Sequence, residues 1–569
     1  MTATRASLLV VLACFCLPLF IGLGRGDLQT DEAIYSFSVD RMLESGDWLA
    51  PKGSPYEEAP FLEKPPLKFW IVALPIKLGL LPHDEFGLRF WDAVFGSAAF
   101  LYLCALGCAL AGPVCGIAAV LTMFACAPLL FEHGLRGNYM EGPLFLCYVG
   151  GMYHYIRAMR DERRQWRHAA AVAVYFALGF MTKFVAAIFL PLVIGCATLV
   201  IPQYRQRVAR AWKAWAAAGA LATAFIAPWF VYASGRFGER LWDVMLKAHV
   251  YTRMTSYLEP QHVQPWWYYW ASVYQAFWFA GSVWLVLAGI AVLAVQAVKR
   301  RWPEALVLLL WFFVPMVIIS AGTSKLIHYT YPFLPPLALG AGYCAALMLM
   351  LAPAPLERMR RPRAWLIALA IAAGAVALGT AFTHELRVQV GPLLVRNALV
   401  LRPALLAVAA ALLAKGGRAM ARACAIVIVL ALVPISAYVN TLGRLTSDPA
   451  PIRNLRDCLL KAQQGETAPG GLYVDVPDSE MWHPVYYYLR QVQPWTRAQS
   501  SGDVRIGPFL DPKAPKPVLI SRDRYQQFLL SLPPDQAFGP SRPGPALVRF
   551  QSDVILLPGA YGLCGPPST

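Results

Sequence analysis

Apolar residues in this chain fall into long runs at 6 to 23, 88 to 111, 113 to 131, 139 to 156, 168 to 181, 184 to 201, 214 to 233, 268 to 297, 303 to 320, 327 to 351, 364 to 382, 399 to 414 and 423 to 441. About 20 mainly apolar residues take a helix across the hydrocarbon core of a bilayer. The runs therefore predict an α-helical polytopic membrane protein with about 13 transmembrane helices. Two stretches break the pattern. Residues 24 to 87 hold short amphipathic segments: Glu32 to Leu43 alternates at helical spacing, and Lys68 to Leu80 is apolar but short, which suits helices lying on the membrane. Residues 442 to 569 carry strand-like runs at 471 to 476, 517 to 521 and 546 to 550, between helical patterns such as 480 to 491. The expected organisation is a transmembrane domain over 1 to 441, including the loop 24 to 87, followed by a soluble C-terminal α/β domain over 442 to 569.

Composition sharpens this reading. With 58% hydrophobic and only 15% charged residues the chain departs from soluble globular proteins. Its net charge of +17 would suit nucleic acid, but the basic residues sit in short clusters between the apolar runs, so they report membrane topology. With a cytoplasmic N-terminus, the inside segments receive Arg157, Arg160, Arg163, Arg164, Arg167, Lys299, Arg300, Arg301, Arg358, Arg360, Arg361 and Arg363. The short outside loops keep Arg136, Lys183, Lys325, Arg387 and Arg396. The loop 24 to 87 and the C-terminal domain then face outward. Arg5 precedes the first run as in a signal peptide, but no clear A-x-A cleavage site follows, so a retained helix is expected. Ten of the twelve cysteines lie in apolar runs, where cysteine behaves as a small apolar residue; Cys458 and Cys564 lie in the C-terminal domain, where an oxidising compartment would permit a disulfide. The chain has no CxxC pair, nucleotide-binding glycine motif or nucleophile elbow, which leaves soluble nucleotide-sugar or ATP chemistry unsupported.

The first loop concentrates the chemistry. It carries Asp31-Glu32-Ala33-Ile34-Tyr35 and Phe61-Leu62-Glu63-Lys64-Pro65-Pro66 beside a membrane, where charge is costly unless solvated or used. The pattern Asp31-Glu32-x-x-Tyr35, then Met42 to Trp48, then Glu63-Lys64-Pro65-Pro66-Leu67 with Trp70, resembles the first outside loop of the aminoarabinose transferase (ArnT) and protein mannosyltransferase family of integral-membrane glycosyltransferases. Further matches follow in order: Arg136 with Met140-Glu141-x-Pro143, Thr182-Lys183, Pro228-Trp229-Phe230, His249, Gln264 to Tyr269, and Ser324-Lys325-Leu326 with Tyr329 and Pro332. The resemblance covers about residues 7 to 350. It implies a GT-C fold and transfer of a sugar from an undecaprenyl-phosphate-type donor to a lipid (lipid A-like) or other envelope acceptor. The implied place is the outer face of a bacterial-type inner membrane, with the C-terminal domain periplasmic. A protein O-mannosyltransferase is the alternative, and a lipid-linked sugar transporter or flippase a further one. A transporter should carry polar groups near mid-membrane and internal repeats, whereas this chain concentrates them at one outer edge.

The resemblance also implies roles. Asp31 is the central carboxylate, either taking a proton from an acceptor hydroxyl or, for a phosphate acceptor, orienting it and stabilising the cationic sugar; the bland reading is a helix N-terminal acid. Glu141, a second catalytic candidate, stands where the family usually has aspartate. Lys64 would neutralise the leaving phosphate, stiffened by Pro65 and Pro66; its bland reading is a snorkelling interfacial lysine. Arg253 and Lys325 are further phosphate-binding candidates, and Tyr35 and Tyr329 substrate contacts. Glu63 and His249 form a partial ligand set for a zinc-like divalent ion, or else hydrogen-bond. Ile34 stands where arginine is frequent, so donor recognition need not match that of the aminoarabinose enzymes. The run Trp266 to Trp270 reads as an interfacial aromatic belt.

Overall fold

In a computed structural model of the chain, the described residues are 3 to 53, 59 to 258, 260 to 351, 363 to 383, 386 to 390, 393 to 397, 400 to 464, 472 to 475, 483 to 492, 495 to 497, 518 to 531, 546 to 549 and 553 to 557. Arg358, Arg360, Arg361 and Cys564 lie outside them. Among the described residues, six helices are long and apolar enough to cross a membrane: Ala3–Phe20, Glu85–Ala111, Glu162–Ala187, Trp212–Phe237, Pro303–Ala321 and Ala364–Thr383. Two bent pairs, Ile327–Phe333 with Pro335–Leu351 and Arg418–Leu432 with Ile435–Arg444, raise the count to eight, and Pro113–Phe124, Phe189–Val200 and Val283–Lys299 are shorter apolar helices. The expected set of about 13 uniform spans is therefore not found among the described residues. Apolar run length does not register where the backbone turns. The run 268 to 297 divides at Gly281, whose φ of +73° ends one helix at Phe279 before the next starts at Val283. Pro335 and Pro434 stand at the two bends, where a missing N–H and a fixed φ interrupt the helical ladder.

The described residues form two compact units: Met1–Leu23 with Ser38–Ser447, and Gly24–Phe37 with Asp448–Thr569. The first is the helical bundle. Its helices approach through glycine: a Cβ on Gly107 would lie 2.6 Å from Gly116 Cα, one on Gly289 2.4 Å from Gly340 C, and one on Gly342 2.3 Å from the Cys115 carbonyl oxygen. Without a hydrophobic drive between helices in lipid, such small residues allow the backbone approach that packing needs. Several buried polar groups are paired. The fully buried Lys68 ammonium joins the Asp92 carboxylate and donates to Asn138 Oδ1 at 3.1 Å, and Trp311 Nε1 donates to the Pro332 carbonyl at 3.0 Å. Buried Arg136 donates to the carbonyls of Leu19 and Ile21 at 2.9 Å each and of Leu445 at 3.2 Å, so this motif residue braces chain segments within the bundle.

In the second unit, strands run across one sheet in the order Trp495–Arg497, Leu472–Asp475, Val518–Ser521, Asp553–Leu557 and Ala546–Arg549. The first three pair in parallel, and the last two join antiparallel. The segment Gly24–Phe37 is laced into this unit. Asp27 accepts from the Ile452 N–H at 2.7 Å and the Arg453 N–H at 3.2 Å, at the start of the helix Pro451–Gln464. The Leu28 N–H donates to Tyr488 Oη at 3.0 Å, and Phe37 packs edge-on to Tyr487 at 5.2 Å. Cys458, on the same helix, is disulfide-bonded.

Candidate active site

The candidate residues of the bundle gather from four places in the chain. Glu63 and Lys64 precede the helix Leu67–Lys77, whose N-cap is Pro66. Lys64 Nζ lies 3.8 Å from Glu63 Oε2, and Glu63 Oε2 is 3.5 Å from His249 Nε2. His249 sits in the π-helix Asp243–Thr252, a rare geometry that is frequent at functional sites. Burial first, then the charges of Lys64 and Arg253, push its pKa from an ordinary 6.5 down to about 2, so the imidazole is neutral and its lone pair available. Arg253, in the next turn, donates from Nη1 to Tyr329 Oη at 2.5 Å.

Tyr329 leads into the second half of the cluster. Lys183, at the end of the helix Gln165–Lys183, lies 5.4 Å from the Tyr329 ring centroid and ion-pairs with Glu141. Glu141 occupies the first turn of the helix Glu141–Arg160, where the helix dipole favours a carboxylate, and its side chain is only 4% exposed. His328, in the 3-10 helix Ile327–Phe333, brings Nε2 to 3.5 Å from Glu141 Oε1 and stacks on His133 with centroids 4.4 Å apart. His133 has a φ of +50°, a left-handed conformation that a non-glycine residue adopts only under constraint.

The structure thus joins Glu63, Lys64 and His249 directly and links Arg253, Tyr329 and Glu141 through Lys183. Lys325 is placed differently. Its buried ammonium donates to the carbonyls of Gln264, at 2.8 Å, and Gly322, while its own N–H donates to the His262 carbonyl at 2.8 Å, so it braces the segments 253 to 264 and 322 to 325 against each other. Asp31 and Tyr35 belong to the second unit, Asp31 half-buried in the first turn of the helix Thr30–Ser45 and Tyr35 buried. Glu32 Oε2 accepts from the Gln29 N–H at 2.8 Å, and Asp31 and Glu32 are the two acids of the first helical turn. The sequence reading did not single out His133 and His328, which the structure brings to Glu141, and it quotes Lys183 only as part of a motif. A single histidine carries no spacing pattern, although Tyr329, beside His328, was within reach.

Comparison with known proteins places this arrangement. Residues 63 to 232 match the family described as dolichyl-phosphate-mannose-protein mannosyltransferase. An undecaprenyl phosphate-alpha-4-amino-4-deoxy-L-arabinose arabinosyl transferase of Pectobacterium carotovorum is 28% identical over 386 residues, 66% of this chain and 66% of the relative. Another, from Pseudomonas savastanoi, is 28% identical over 338 residues, 58% of this chain and 59% of the relative. The chain thus spans just under two thirds of these relatives. The structure of ArnT from Cupriavidus metallidurans in the apo state aligns with a TM-score of 0.60 at 20% identity, covering 100% of both chains. The same protein bound to undecaprenyl phosphate gives 0.58 at 20% identity, over 98% of this chain and 99% of that one. An oligosaccharyltransferase of Archaeoglobus fulgidus gives 0.51 at 12% identity, over 85% of this chain and 63% of that one. The fold defines the class: a multi-pass integral-membrane protein of GT-C architecture. Within that class the chain is ArnT-like, in agreement with the resemblance carried by its motifs.

Proposed function

We propose that this protein transfers a sugar from an undecaprenyl-phosphate-type donor to a lipid A-like acceptor on the outer face of an inner membrane. The observation that carries this reading is the cluster itself, in which Lys64, Lys183 and Arg253 surround Glu63, Glu141, His249 and Tyr329 among apolar helices. Such a donor has a lipid tail that needs apolar surface, a phosphate that needs cations and a sugar that needs polar groups. The full-length likeness to an ArnT structure bound to undecaprenyl phosphate supports the donor class.

In this mechanism the bond between the anomeric carbon and the donor phosphate oxygen breaks as the acceptor oxygen attacks. Lys64 and Arg253 take up the charge that develops on the departing phosphate. Asp31, assigned on its motif, receives the proton of a hydroxyl acceptor or orients a phosphate acceptor. Glu63 and His249 fit a divalent ion as two of its ligands, a carboxylate and a neutral imidazole 3.5 Å apart, and such an ion would add positive charge beside the phosphate. The N-terminus is cytoplasmic in this reading, and residues 442 to 569 form a periplasmic α/β domain.

The test is mass spectrometry of lipid A from cells lacking the protein, complemented with wild type or with Lys64→Ala. Loss of a pentosamine from lipid A phosphate, restored by wild type alone, is the expected result; unchanged lipid A overturns it. The family match over residues 63 to 232 favours protein O-mannosyl transfer as the second reading, marked by a hexose lost from envelope protein instead.

A further inference from the structure

Three donor groups from separate segments meet beside Tyr329: His133, Glu141 and His328, whose ligand atoms all lie within 4.8 Å of one another. Ligands of a tetrahedral zinc ion sit about 3.3 Å apart, given metal bonds of about 2.0 to 2.1 Å. Rotation of the side chains by about an ångström would therefore close the set, with no movement of helices. Glu141 and His328 are buried and His133 is half-buried. Each comes from a fixed position: the first turn of a long helix, a 3-10 helix, and a tight turn.

The turn is the least expected of these. The Leu135 N–H returns to the Leu129 carbonyl at 2.9 Å, and a Cβ on Gly134 would meet the same carbonyl oxygen at 2.1 Å. This closure coincides with the φ of +50° at His133, and it sets the imidazole on the face of His328. Residues held in sparsely populated backbone regions cluster at ligand sites, where the surroundings enforce them.

We propose that His133, Glu141 and His328 form a zinc site of the two-histidine, one-carboxylate kind, separate from the pair Glu63 and His249. Nitrogen and carboxylate oxygen donors suit this ion. Lys183 is compatible with it, because a carboxylate that ligates a metal commonly accepts a hydrogen bond from an outer group as well. Three protein ligands leave one position open. Lys183 stands on Glu141, and Arg253 is close enough to bear electrostatically on His328, so this position favours an anionic oxygen such as that of a phosphate.

Full-length protein in detergent, loaded with zinc and dialysed, provides the test through zinc K-edge X-ray absorption and metal analysis. The expected result is one zinc per chain retained through dialysis, with two imidazoles in its first shell, because the two-ligand pair Glu63 and His249 does not hold the ion through this step. Zinc with a single imidazole would place it at Glu63 and His249 and overturn the proposal, as would no retained zinc. Substitution adds a second arm that does not depend on activity. His328→Gln should abolish retention while Glu63→Gln with His249→Gln keeps it. A His328→Gln protein that melts like wild type and still holds one zinc defeats the assignment.

Discussion

Glu141 and Lys183 form an ion pair whose side chains are 4% and 11% exposed. Removing one partner of such a pair leaves a charge without compensation, at a cost of about 3 to 5 kcal/mol, whereas removing both costs much less. Thermal unfolding in detergent should therefore show Glu141→Gln and Lys183→Met each strongly destabilised and the double variant substantially recovered; additive losses would mean the pair is not coupled. His249 makes a pH-dependent contribution. Its folded pKa of about 2 lies below its unfolded value of 6.5, so between these values the unfolded state binds more protons. Stability is then fully present above pH 6.5 and falls as pH drops below it, by up to about 1.4 kcal/mol per pH unit. The acid limb of the melting curve should be shallower in His249→Gln than in wild type, and parallel limbs would remove His249 as the cause. The sequence singles out Glu63, Lys64, His249, Tyr329 and Glu141 by motif order and Arg253 by its charge, and the structure gathers these residues in the bundle. It does not single out His133 and His328, since their proximity depends on a turn and a 3-10 helix that no periodicity reveals.

At the scale of helices, the apolar runs located most elements, and the amphipathic segments appear as the helices Thr30–Ser45 and Leu67–Lys77. Their breaks were illegible because one glycine or proline changes backbone direction without changing hydropathy. The glycine contacts between helices are testable in turn. Gly342→Leu places side-chain atoms where even a Cβ would lie 2.3 Å from the Cys115 carbonyl oxygen, and neither neighbour is a flexible side chain. Overpacking of this kind costs about 1 to 3 kcal/mol or more. Gly219→Ala is the control: nothing lies within 4 Å of its Cβ, so higher helix propensity should leave stability equal or raised by about 0.5 to 1 kcal/mol. Equal melting temperatures for the two variants would contradict the close approach. In the second unit, Asp27→Ala strips a buried and a partly buried N–H group of their acceptor at the start of the helix Pro451–Gln464. The expected outcome is faster hydrogen exchange in Gly24–Phe37, the segment carrying Asp31, and unchanged exchange there would show that this anchor is dispensable.

For the whole molecule, sidedness is decided by charge and by which helices can cross. Arg157, Arg160, Arg163, Arg164 and Arg167 cluster at the junction of the helices Glu141–Arg160 and Gln165–Lys183, and Arg205, Arg207 and Arg210 follow on the helix Pro202–Arg210. Arg207 and Arg210 lie 3.6 and 3.9 Å from Glu162, so both groups share one end of the bundle. In the proposed orientation this positive cluster is cytoplasmic. From Glu162 to Ser447 the chain must then cross an odd number of times for Ser447 to face outward. The helix Tyr268–Phe279 has 12 residues, a rise of about 18 Å against a hydrocarbon core of about 30 Å, so it does not cross alone and counts with Val283–Lys299 as one broken span. That leaves the parity of the apolar runs intact despite the broken helix. Cysteine placed at either exposed position reports the result: with a membrane-impermeant maleimide on intact spheroplasts, Ser447→Cys should label and Glu162→Cys should label only after permeabilisation. Labelling of both from outside, or of Glu162→Cys alone, would break the proposed orientation and with it the placing of the candidate cluster on the outer face.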